Sequence, residues 1–342
     1  MKRLLLLGSA VLGLLAIAAA LAALHVSRFL HTPVNVGDAG LDFVIESGST
    51  FRAISDELGE AGVIGDARLF RLWARWRGQA ASVQAGDYLI EAGTTPAQLL
   101  EQFTSGDVKL YSFTIIEGWN QWELLDALHD HDHIDASLTE EDWPAFLEEL
   151  GAGTTQPEGL FLPETYRFPR NTRDRDVLRP AYELMQEVLA DEWAGRDENL
   201  VISTPYEALV LASIIEKETA RGDERPRISG VFSRRLQKRM RLQTDPTVIY
   251  GIGPGFNGNL TRRDLRTDTP YNTYTRGGLP PTPIAMPGRD SINAALHPAP
   301  GDELYFVATG LGDGSHTFSA TKEEHDAAVA EYLRQLRRNR QQ

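Results

Sequence analysis

Residues Leu4 to Leu24 carry no charge and are dominated by Leu, Ala, Val and Ile. As a helix rising about 1.5 Å per residue, the run spans about 30 Å, the thickness of a bilayer core. Small residues at Ala18 and Ala20 could serve as a signal-peptide cleavage site. The apolar part of a cleaved signal is normally only about 7–15 residues long, however. Length therefore favours an uncleaved signal anchor over residues 1–30. Lys2 and Arg3 precede the run and only Arg28 follows closely. The positive-inside rule then predicts a cytoplasmic N-terminus and a single pass, with the rest of the chain outside the cytoplasmic membrane. ATP and nicotinamide cofactors are not expected there.

A chain of 342 residues is too long for one ordinary domain, so two folded units are expected beyond the anchor. The formal charge is −14, and such a surface repels phosphate backbones, which argues against nucleic-acid binding. Cysteine is absent, excluding disulfide scaffolds, thiolate metal sites and cysteine nucleophiles.

Residues 31–41, with Pro33 and two glycines, read as a linker. Residues 42–107 form a compact pattern. Phe43 to Ile45 suggests a strand, and Ile54, Leu58 and Ala61 a helix. Leu69, Leu72, Trp73 and Trp76 suggest a second helix. Gly86 to Ile90 reads as a turn and strand, and Thr95-Pro96 as the capped start of a third helix. This strand–helix–helix–strand–helix unit holds no titratable cluster, so binding suits it better than catalysis. Residues 108–342 mix strand and helix patterns, including a strand near Tyr111–Ile116 and a charged final helix from about Lys322 to Arg338. The predicted fold class is α+β.

The best-defined element runs from Thr204 to Glu218. Thr204 can cap it, Pro205 fits its first position and Glu207 closes a capping box. Its body is apolar nearly all round, so it should be buried. Leu211, Ile214, Ile215 and Glu218 share one stripe, whereas Glu216 lies nearly opposite, beside Ala212 and Ser213. Desolvation on the apolar stripe would raise the pKa of Glu218 toward that of a general acid. The plainer alternative is an exposed helix end paired with an arginine.

Arg221 to Arg241 reverses the acidic balance and reads as the solvated face of a helix. Gly251 to Asp290 is a long polar loop region, with Asn257, Asn259, Tyr271, Asn272 and Tyr274. Amides, hydroxyls and tyrosine rings suit sugar hydroxyls and sugar faces. Gly251 to Phe256 fails as a dinucleotide loop, because no apolar helix follows. His129, His131 and His133 could share a strand face and hold zinc, but an acidic histidine-rich loop fits better. His316 reads as a satisfied structural histidine. No metal or cofactor is called for.

Leu211 to Thr219, followed by Arg241-Leu242-Gln243-Thr244-Asp245-Pro246-Thr247-Val248-Ile249-Tyr250-Gly251, closely resembles the endolytic murein transglycosylase (YceG-like) family. Leu162-Pro163-Glu164-Thr165-Tyr166, Tyr271–Tyr274 with Gly278–Pro281, and Ala295–Ala299 match further family segments. The resemblance covers essentially the whole chain. It implies a LysM-like membrane-proximal subdomain at residues 42–107, a catalytic domain after it, and one catalytic glutamate, here Glu218. Gln243, Thr244, Asp245, Tyr271, Asn272 and Tyr274 are the expected substrate contacts. The implied reaction is non-hydrolytic cleavage of the β-1,4 bond between N-acetylmuramic acid and N-acetylglucosamine in nascent glycan strands. It leaves 1,6-anhydro ends and terminates strand elongation. The implied partners are peptidoglycan glycan strands, the cytoplasmic (inner) membrane and peptidoglycan synthases, with the catalytic domain on the periplasmic side. A non-catalytic glycan-binding protein and a hydrolase of the same bond are the alternatives.

Overall fold

The computed structural model describes residues 2–339 of the chain; Met1 and residues 340–342, the extreme ends of the expected anchor and catalytic segments, lie outside the described residues. The architecture is mixed α+β, and it divides into two units. One is Met1–Tyr111 with Phe168–Asn171, the other Ser112–Arg167 with Thr172–Gln342.

The first unit begins with α1 (Lys2–His31). From Val11 to Leu24 its side chains are exposed, while Leu30 is buried. Within this helix, Val11–His31 is long and apolar enough to cross a membrane. β1 (Leu41–Ile45), α2 (Phe51–Glu60), α3 (Ala67–Trp76), β2 (Gly86–Ile90) and α4 (Pro96–Ser105) follow. β1 and β2 pair antiparallel, with Phe43 opposite Tyr88. Strand alternation turns Phe43 and Ile45 into a core with Phe51, Leu58, Phe70, Tyr88 and Phe103, and Asp42 and Val44 outward. Thr50 and Asp66 cap α2 and α3 through their side chains, and Thr95 with Gln98 forms a capping box on α4. The segment expected as a linker is instead tied down. Val34 N donates to Thr94 O (2.7 Å), Asn35 N donates to Val63 O (2.9 Å), and Val34 joins the core. An apolar residue every few positions (Leu30, Val34, Val36) gives this stretch something to bury, which a free linker lacks.

The second unit holds β3 (Leu110–Thr114, beginning in the first unit), α5 (Gln121–His129), β4 (Ile134–Asp135), α6 (Trp143–Glu149), β5 (Thr165–Pro169, ending in the first unit) and β6 (Thr172–Arg173). Then come α7 (Asp174–Ala194), α8 (Pro205–Glu218), α9 (Arg225–Gln237), α10 (Asp245–Ile252), α11 (Arg289–Leu296), β7 (Tyr305–Ala308), β8 (His316–Ser319) and α12 (Lys322–Asn339). The sheets are two-stranded: β3 with β5, β4 with β6, and the antiparallel hairpin of β7 and β8. α8 is the hub. Every residue from Ala208 to Ile215 is buried, and the helix packs against α7, α9, α10 and, most extensively, α11. Thr204 accepts from Glu207 N at 3.1 Å and Pro205 opens the helix, as its sequence predicts, but the expected capping box does not close: the Glu207 carboxylate reaches one residue further back and accepts from Ser203 N (2.6 Å).

The arginine-rich stretch is only in part the expected solvated face: Arg227, Lys238, Arg239 and Arg241 are exposed, but others are not. Arg225 and Arg235 are buried. Arg234 donates to Ala299 O (2.9 Å) and Glu303 O (2.7 Å), and Arg235 to Leu304 O (2.6 Å) and Leu242 O (2.7 Å). A guanidinium carries five donors and can satisfy several backbone carbonyls at once, so these arginines tie α9 to the segments that lead into β7 and α10. The histidine-rich segment splits between structures. His129 ends α5 and its Nε2 is 2.9 Å from Leu138 O, while His131 Nε2 is 3.2 Å from Ser112 O. His316 Nδ1 lies 2.7 Å from Glu224 Oε2, and its backbone N donates to Glu224 Oε1 (3.0 Å).

Candidate active site

Glu218 is the last residue of α8. The burial of the helix carries its side chain into a cavity of about 350 Å³ that it lines with Arg235, Gln243, Thr244, Asp245, Tyr274 and residues of the C-terminal segment. Burial pushes the carboxyl above the ordinary carboxylate range. The Thr244 hydroxyl, which donates to Glu218 Oε1, pulls it partly back, and nearby Asp245 pushes it up again. The negative end of the helix dipole acts in the same direction as burial. Among the described residues, Glu218 is in no ion pair.

Thr244 is placed by an unusual use of a cap residue. It occupies the N-cap position of α10, yet its hydroxyl makes no capping bond, because it is turned to Glu218. The backbone is held from the other side: Thr244 N donates to Thr273 Oγ1 (3.1 Å), and Thr247 Oγ1 donates to Thr244 O (2.8 Å). Gln243 has φ 52°, a left-handed conformation uncommon outside glycine and asparagine. Strain of that kind persists where the surroundings over-determine the backbone, and it clusters at functional sites. Asp245 opens α10 and accepts from Tyr274 OH at 2.5 Å.

Four of the six expected substrate contacts, Gln243, Thr244, Asp245 and Tyr274, therefore meet around Glu218. Tyr271 and Asn272 do not line the cavity. Asn272 is fully buried; its Nδ2 donates to Asp264 O (3.1 Å) and Thr267 O (2.7 Å), and its Oδ1 accepts from Tyr274 N (2.9 Å). It knots the loop that presents Tyr274. Tyr271 packs edge-on against Tyr250, with ring centroids 4.9 Å apart, and its hydroxyl is 2.9 Å from Thr282 Oγ1.

Sequence reasoning missed the remaining wall: Arg235, Tyr305, Phe306, Lys322 and His325. His325, on α12, stacks on Tyr305 at 5.2 Å, and burial lowers its pKa. Only the turn of hydrophobic periodicity from β7 to β8 and the histidine inside an otherwise charged helix could have signalled this segment. Glu216 and Glu158 also bury their carboxyls, away from the cavity. Glu216 Oε1 accepts from Arg225 Nη2 (3.1 Å) and Oε2 from Gly288 N (3.0 Å). Glu158 accepts from Gln121 N (3.1 Å), has no partner for Oε1, and is pushed by burial to about 8.

A buried acid with one hydroxyl donor, beside a polar and aromatic cleft, fits a single-carboxyl glycan-cleaving site. The matches with known proteins agree. The YceG-like family matches residues 43–331. The endolytic murein transglycosylase of Bacillus subtilis is 31% identical over 307 residues, covering 84% of each chain. That of Streptococcus pneumoniae is 27% identical over 322 residues, covering 84% of this chain and 58% of the other. The crystal structure of a yceG-like protein from Listeria monocytogenes superposes with a TM-score of 0.54 at 28% identity, covering 85% of this chain and 99% of that one. The chain belongs to the YceG-like family, an enzyme family whose curated relatives matched here are endolytic murein transglycosylases.

Proposed function

We propose that this protein is a membrane-anchored lytic transglycosylase that cuts nascent peptidoglycan strands internally, at the β-1,4 bond between N-acetylmuramic acid and N-acetylglucosamine. The observation that carries the reading is the carboxyl of Glu218, raised by burial and unpaired except for Thr244, at a cleft of hydroxyls, amides and rings. With Oε1 engaged by Thr244, the other oxygen holds the transferable proton. Glu218 donates it to the leaving glycosidic oxygen. The resulting carboxylate takes the proton of the muramyl C6 hydroxyl as that oxygen attacks C1, which closes the 1,6-anhydro ring. One carboxyl serves both half-steps, so the second carboxylate of ordinary glycosidases has no required role.

The exposed apolar helix α1 supports anchoring, and Lys2 with Arg3 supports a periplasmic catalytic unit. The β–α–α–β order of the first unit supports a LysM-like, glycan-engaging role, and synthases of the same strands are the expected partners. The test is digestion of purified peptidoglycan by the detergent-solubilised full chain, with products weighed. Ends lighter than a reducing end by one water support the reading. Reducing ends would make the protein a hydrolase, and an undigested polymer would make it a binding protein.

A further inference from the structure

α3 does not bury the stripe that its sequence displays. Phe70 and Ala74 are inside, and Ala67 and Trp73 are half-buried against the core at the edges of the face, whereas Leu72 is 62% and Trp76 76% exposed. At 100° per residue, Arg75, Arg68, Leu72, Trp76, Leu69 and Trp73 follow one another around a contiguous outward arc of about 160°. Trp73 and Trp76 stack on each other, centroids 5.1 Å apart, and Arg77 lies over the Trp73 ring. Arg71 is committed to Asp56, but Arg68, Arg75 and Arg77 are exposed. In a chain of charge −14, a ten-residue stretch with four arginines is a local inversion. The combination of Trp and Leu flanked by arginine is that of a helix lying in a membrane interface.

The surrounding unit puts that face within reach of a bilayer. α1 is exposed from Val11 to His25, and its Val26, Phe29 and Leu30 are packed, with α4 among the helix's neighbours. His25, Arg28 and Phe29 share a cavity of about 600 Å³ with Gly62–Asp66, the loop that leads directly into α3. α3 thus starts at the level where α1 leaves its exposed apolar stretch. Ten residues of helix span about 15 Å, so no part of α3 lies further than that from this level.

We propose that the outward face of α3 docks on the anionic headgroup layer of the membrane that α1 enters. Leu72, Trp73 and Trp76 enter the interface, and Arg68, Arg75 and Arg77 pair with lipid phosphates. This rests on the anchoring proposed above. A sugar platform built on the tryptophans and a protein–protein contact are the competing occupants, and the test distinguishes them.

The chain has no cysteine, so single-cysteine variants can be spin-labelled in the full-length protein. Leu72→Cys is compared with Leu311→Cys, another exposed leucine (64%), in the second unit. Both are reconstituted in vesicles of phosphatidylcholine with and without phosphatidylglycerol. The expected result is a several-fold higher ratio of oxygen to nickel-chelate accessibility at position 72 than at 311. The ratio should grow with phosphatidylglycerol and collapse when Arg68, Arg75 and Arg77 are changed together to Gln. A chain that fails to float with vesicles refutes the anchoring itself. A floating chain whose position 72 is as aqueous as 311 overturns the docking alone. Shielding that appears only on adding glycan strands, or only at high protein density, also overturns it, in favour of a sugar platform or self-association.

Discussion

On one face of α8, both carboxyl oxygens of Glu216 are occupied, by a buried guanidinium and a backbone amide. Two positions on, Glu218 has one hydroxyl donor and a cavity in front of it. The two side chains are chemically identical and come from the same turn of the same helix. What separates them is saturation. A carboxylate whose acceptors are filled and whose charge is matched is a fastener, and holding its proton would cost it those bonds. A desolvated carboxyl with spare capacity holds a proton readily and can release it. The sequence difference behind this contrast is small: Arg225 and Gly288 are placed on one side, Thr244 on the other.

The strongest way to break the contrast is Glu218→Gln. The amide retains shape but carries no transferable proton, and acid–base assistance is worth about 10²–10⁴ in rate. Strand cleavage should fall by at least that upper figure, because both half-steps use the group. Stability at neutral pH should not fall. The folded state disfavours the ionised carboxyl, a penalty absent at low pH and complete above the raised pKa, and Gln removes it. Near-normal cleavage by this variant would end the assignment.

Glu216→Gln should behave in the opposite sense. Removing one partner of a buried ion pair costs about 3–5 kcal/mol. Arg225 also has Glu117 and Asp290 at 3.5 Å, which softens the loss to about 2–4 kcal/mol. Urea denaturation should show it, and residual activity should track the folded fraction. A stable but inactive protein would place the acid at the wrong glutamate.

Thr244→Val sharpens the comparison. It removes the hydrogen bond that lowers the Glu218 pKa, so the alkaline limb of the kcat profile should move to higher pH. An unmoved limb, with activity lost, would assign Thr244 to substrate contact instead. The smallest effect on cleavage concerns Glu158, a third kind of carboxyl, sealed and incompletely bonded. Its proton is held up to about pH 8 in the folded chain and only to about its ordinary 4.5 when unfolded. Between those limits the folded state binds more protons, so this group makes stability fall as pH rises, by at most about 1.4 kcal/mol per unit. Glu158→Gln should flatten that slope in thermal melts, whatever it does to the absolute Tm.

The buried helix and the opposite placing of Glu218 and Glu216 were legible because α8 is long, capped and uniformly apolar, and its facial geometry follows from the helical period alone. The strands of the first unit, α4 and the charged terminal helix were legible for similar reasons. α10 and α11 were not: each is only eight residues long, and α10 is rich in β-branched residues and carries Gly251 in its last turn. The hairpin of β7 and β8 was hidden by strands of four residues each. The fate of the arginines was illegible in principle, since most of the carbonyls that Arg234 and Arg235 satisfy, those of Ala299, Glu303 and Leu304, come from a segment more than 60 residues away. Tyr271 and Asn272 show the converse limit. Composition suggested a sugar-binding loop, but which polar side chains face outward and which knot the loop depends on its fold.

The tight seating of Val34 and Asn35 has a mechanical consequence. A flexible segment of nine residues, such as 32–40, would act as a leash with an r.m.s. reach of about 17 Å. Here α1 passes into the first unit as a strut instead. Any tilt or rotation of that helix is handed to β1, β2 and α3 without slack, so under the anchoring proposed above the first unit does not roam around its helix. It turns with it.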